Sequence, residues 1–199
     1  MESRVKLAGH PVHQMLIVFP LGLLATAVVF DVIFLVTDNV LWTQAAYFMI
    51  GAGVVTGLAA AVPGALDWLA IPRGTRAKRI GLIHGVGNVL VVALFALSWY
   101  LRSGQPASPP TEAVVAGLLG AGLSVVTGWL GGELVDRLGV GVDPGAHLDA
   151  PSSLSAMPVA AARGSEFRAG MSHAYAGVER RHFPQPAYAG IDRRGRSGA

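Results

Sequence analysis

There is no cysteine anywhere in the 199 residues. Disulfides, thiolate zinc sites and iron–sulfur clusters held by this chain are therefore excluded. Charge is scarce too: 14% of residues are charged, against about 25% in a soluble domain. The shortage is local, since between Gln14 and Ala77 the only charged residues are Asp31, Asp38, Asp67, Arg73 and Arg76. Neither a Ser/His/Asp set nor a phosphate-binding glycine loop is present, so hydrolase and kinase readings have no support and the question of an enzymatic activity stays open. The formal net charge is +3, but its basic residues sit in short connections and a tail. They do not form one basic face, so no nucleic acid is expected as a partner.

What is present is long hydrophobic runs. About 20 apolar residues cross a bilayer core, and four stretches meet that length: Gln14 to Thr37, Trp42 to Leu66, Ile80 to Leu101, and Ala113 to Leu134. Arg4 and Lys6 ahead of the first run, with Ala25-Thr26-Ala27 inside it, imitate a signal peptide. The run nevertheless continues through Val28, Val29, Val32, Ile33, Phe34 and Leu35, so it reads as a retained helix. The expected fold is all-α: a four-helix transmembrane bundle with the lipid bilayer as its surroundings. Three spacings, Gly53-x-x-x-Gly57, Gly81-x-x-x-Gly85 and Gly128-x-x-x-Gly132, would let its helices approach closely.

Orientation follows from lysine and arginine in the short connections. Arg4 and Lys6 precede span one, Arg73, Arg76, Lys78 and Arg79 join spans two and three, and Arg137 follows span four. The other two connections hold only Arg102. The chain is thus expected to be a multi-pass protein of the cell inner (plasma) membrane, with both termini cytoplasmic (N-in/C-in). Residues 1–142 form the transmembrane domain, and 143–199 read as a disordered basic cytoplasmic tail. Its composition shifts to Pro, Ser, Gly, Ala and Arg without apolar period. His147, His173 and His182 are scattered through it without ligand spacing.

Polar residues from separate spans gather at the basic end. His10 precedes Pro11, which suits the first helical position, and His13 falls in the first turn. Asp31 lies five turns further along the same face, unless Pro20 shifts the register. His84 lies one turn inside span three with Asn88 a turn beyond it, Asp67 closes span two, and Glu133 closes span four. Ionisable groups near a bilayer are costly, which makes the cluster a site hypothesis. One reading is a b-type haem between His13 and His84, with His10 as substitute ligand, Asn88 alongside, and the loop arginines beside the propionates. A second is a metal ion held by His10, His13, His84 and Asp67 or Glu133. A third is a non-enzymatic protein that passes a proton or solute, or supports a partner.

The motifs Gly9-His10-Pro11-x-His13 with Phe19-Pro20, Gly64-x-x-Asp67-Trp68, Arg76-x-x-Arg79-x-x-x-x-His84-x-x-x-Asn88, and Gly128-Trp129-Leu130-Gly131-Gly132-Glu133-Leu134 leading to Gly139-Val140-Gly141-Val142 are specific when taken together. In these the chain resembles the bacterial membrane family known as domain of unknown function 2231, over about Gly9 to Val142. The resemblance implies a four-helix integral membrane protein and brings no activity. Some members are joined to a Rieske-type domain, which implies an electron-transfer setting. Without cysteine, this chain would need a separate redox protein as partner.

Overall fold

A computed structural model describes residues 1–154. Its elements are two short strands, β1 (Lys6–Leu7) and β2 (His10–Pro11), followed by α1 (Val12–Leu16), α2 (Val18–Thr37), α3 (Val40–Ala70), α4 (Arg76–Leu101) and α5 (Thr111–Gly132). A π turn, Glu133–Arg137, extends α5. The four spans expected from hydropathy are all present as helices long and apolar enough to cross a membrane. The tail beyond residue 154, with Arg163, Arg168, Arg180, Arg181, Arg193, Arg194, Arg196, His173 and His182, lies outside the described residues. Residues 143–154 form turns without helix or strand.

Local chemistry sets the boundaries. Ala8 and Gly9, both at positive φ, make the two-residue turn between β1 and β2, the geometry that matches strand twist in a tight hairpin. Span one breaks at Ile17 between α1 and α2. The cause is Pro20, whose ring cannot donate an N–H and crowds the carbonyl four residues back, at Leu16. Asp38 stops α2 in the left-handed conformation, and the Asn39 side chain caps α3 through the Leu41 N–H. Thr75 caps α4 by accepting from Lys78 N.

The chain forms two antiparallel hairpins, α1/α2 with α3 and α4 with α5, which meet along α3 against α4 and α2 against α5. The apolar core lies midway along the bundle: Leu24, Ala27, Ala46, Ile50, Val54, Val91 and Phe95 are all buried. Close helix approach depends on glycine at particular points. A Cβ on Gly53 would sit 2.5 Å from Leu24, and one on Gly120 2.9 Å from Phe95. The Gly53-x-x-x-Gly57 face does meet neighbours at both positions. Gly85 and Gly128, by contrast, face open space, so the other two spacings do not act as packing faces within the bundle.

Candidate functional site

One end of the bundle carries the histidines. The backbone break at Ile17 leaves His13 on the short helix α1, against α3. Its Nδ1 lies 2.8 Å from the carbonyl oxygen of Ala60, and the imidazole rests on Gly64, where a Cβ would come within 2.8 Å of the ring. His84 repeats this on the second hairpin: Nδ1 is 2.9 Å from Thr127 O, and the ring lies over Gly131 at 3.2 Å from a notional Cβ. A carbonyl only accepts, so in both residues Nδ1 carries a proton, and in the neutral ring Nε2 keeps its lone pair. Asn88 donates to the His84 carbonyl at 3.0 Å and its amide nitrogen also lies 3.1 Å from His84 Nε2.

The other expected site residues are engaged elsewhere. Asp67 collects the N-terminal segment: Ser3 Oγ donates at 2.7 Å, Arg4 N at 2.6 Å and Val5 N at 3.4 Å. Glu133 accepts from Arg76 at 2.6 Å, joining the end of α5 to the start of α4. His10 sits exposed on β2, paired with Leu7. Among the described residues no three His, Asp or Glu side chains converge as a metal centre. Of the basic loop, Lys78 is occupied with Trp68: its ammonium stands 4.0 Å over the indole and donates to Trp68 O at 2.7 Å, while Trp68 Nε1 donates to Lys78 O.

At the opposite end lies a second polar layer, eighteen residues (about 27 Å of helix) from the histidines. Asp31 and Arg102 are 2% and 0% exposed and form a bidentate pair at 2.9 and 3.0 Å. Ser98 accepts from Arg102 Nη2 at 3.0 Å and donates to Ala113 O at 2.6 Å. Asp31 was expected on the His13 face; its partner was not foreseen. The signal was present: among the described residues Arg102 is the one basic residue away from the basic end, and Asp31 the one acid that lies well inside a span and not near its end.

No curated protein and no solved structure matches the chain. A family model described as a predicted membrane protein, DUF2231, matches residues 9–144, and with four membrane-length helices built from that same stretch, the chain belongs to this family.

Proposed function

We propose that the protein is a b-type haem carrier of the plasma membrane, with His13 and His84 as the two iron ligands. The observation that supports this is the matched anchoring of the two imidazoles. Each has Nδ1–H fixed on a backbone carbonyl of its partner helix, which orients the ring, selects the tautomer and raises the basicity of Nε2. Two such nitrogens from different helices suit a group that needs only two protein ligands. A mononuclear ion would need a third, and Asp67 and Glu133 are held by Ser3, Arg4 and Arg76 instead. With His84 Nε2 engaged as a ligand, Asn88 would still be held by its bond to the His84 carbonyl. Haem would supply reversible one-electron transfer, and Arg73 and Arg79, in the basic segment around the start of α4, would be candidate partners for its propionates.

The basic end is assigned to the cytoplasm, which puts both termini there. Lysine and arginine favour that face, and the exception, Arg102, is neutralised by Asp31 within the bundle. The test is a reduced-minus-oxidised visible spectrum of the purified protein, expressed with ample haem, beside His13→Leu and His84→Leu variants. A Soret band with sharp reduced α and β bands, lost in both variants while they still insert, is expected. A flat spectrum in the parent protein, or bands unchanged in either variant, refutes the assignment.

A further inference from the structure

The two hairpins make the same contacts at matching places. On α2 the buried residues are Leu24, Ala27 and Asp31, and adding 71 to each gives Phe95 and Ser98 on α4 and Arg102 at its C-terminal cap, all buried. The same offset carries His13 to His84. On the return helices the offset is 67: buried Ala46, Ile50, Gly53 and Ala60 of α3 fall on Ala113, Gly117, Gly120 and Thr127 of α5, all buried. Contacts transfer with the residues. Leu24 lies on Gly53 as Phe95 lies on Gly120, and the nearest atom of a second residue is the Cβ of Leu23 in one case and of Leu94 in the other, each at 3.5 Å. His13 binds the Ala60 carbonyl and covers Gly64, just as His84 binds the Thr127 carbonyl and covers Gly131. Matching helices run in the same direction, so the operation relating the hairpins is a two-fold rotation about an axis along the bundle.

We infer that the chain is two versions of one two-helix unit, that the histidine site lies on the axis relating them, and that Asp31–Arg102 is the lock that makes unlike units pair. Two arguments support the lock. A residue on a two-fold axis meets its own equivalent, so a pair of like units would bury Asp against Asp or Arg against Arg. Either is severely unfavourable in a buried site, whereas the mixed pair is closed by two hydrogen bonds. Specificity of this kind is built from the repulsion in the wrong pairing as much as from the attraction in the right one. Where Ser98 donates to Ala113 O, the offsets assign the buried Ala27 and Ala46 as the equivalent positions of the first unit. The duplication stands without the haem reading. Taken together with that reading, it requires a ligand that accepts two equivalent imidazoles, one from each unit, as a planar iron tetrapyrrole does.

The test exchanges the lock across the axis in the full chain, reading thermal unfolding in mild detergent. Asp31→Arg and Arg102→Asp are each expected to lower the midpoint by roughly 10 °C or to prevent accumulation. The reversed pair, D31R with R102D, is expected to recover more than half of that loss. Adding A27S with S98A, which moves the supporting hydroxyl to the arginine's new side, should then raise the midpoint again, though the same serine move lowers it in the parent chain. Equivalence is overturned if the reversed chain is no more stable or abundant than the single variants, or if moving the serine has the same sign in both backgrounds. Loss or retention of a Soret band plays no part in this outcome, so the two proposals fail separately.

Discussion

Gly64→Ala is the perturbation whose magnitude the structure specifies most directly. The new methyl would stand 2.8 Å from both Cε1 and Nδ1 of His13, and ordinary contact begins at 3.4 Å. Neither the helix backbone of α3 nor the rigid imidazole can absorb this by rotating a flexible tip. The ring must retreat by about 0.6 Å, which stretches the 2.8 Å bond to Ala60 O to about 3.4 Å, past the useful range for N–H···O. Losing that bond costs about 1 kcal/mol and overpacking typically adds 1–3, so about 2–4 kcal/mol of stability is expected to go. Gly131→Ala is the internal control: its Cβ meets His84 Cε1 at 3.2 Å, so a shift of about 0.2 Å suffices and the bond to Thr127 O survives, with an expected loss below about 1 kcal/mol. Denaturant titration of both variants in mild detergent measures the difference. Equal losses, or no loss in Gly64→Ala, would refute the claim that His13 is fixed by contact with that glycine.

Gly120→Ala places a methyl 2.9 Å from Phe95, which is 1% exposed, and should cost about 1–3 kcal/mol; a melting point equal to the parent's would count against tight packing there. Gly85→Ala and Gly128→Ala meet open space and are expected to leave stability unchanged or raise it by up to about 1 kcal/mol, as read by the same titration. Thr43 is buried with its hydroxyl unpartnered among the described residues, so Thr43→Val should stabilise by about 1 kcal/mol, and a destabilised variant would point to an overlooked partner. Asp67→Asn weakens the grip on Ser3, Arg4 and Val5. Hydrogen exchange at the Arg4 amide should then accelerate by one to two orders of magnitude, about 1.5–3 kcal/mol for bonds to a charged acceptor.

The four helices were legible because hydrophobic length is a local property and each span is a continuous run. The depth of His13, His84, Asp67 and Glu133 was legible as well, since it follows from distance to a helix end. Partner choice was not. Whether Asp67 turns toward His13 or toward the Arg4 amide depends on how the first residues fold back, and no periodicity encodes that. The internal repeat was concealed by its two offsets, 71 and 67, which differ because the connections differ in length. Few identities mark it, among them His13 with His84, Leu23 with Leu94, Ala46 with Ala113, Gly53 with Gly120 and Gly64 with Gly131. Elsewhere Leu24 and Phe95, or Asp31 and Arg102, do the same geometric job with unlike side chains.

The apolar layer between the two polar ends has an electrical meaning. Leu24, Ile50, Val54, Val91 and Phe95 form a buried apolar cluster between His13 and His84 at one end and Asp31 and Arg102 at the other. An ion or proton crossing there would meet the self-energy of a bare charge in a low-dielectric slab, which is prohibitive. Set across a bilayer, such a layer would act as the dielectric between two polar ends, so that most of a membrane potential would fall across it and little at His13 and His84 or at the sealed ion pair.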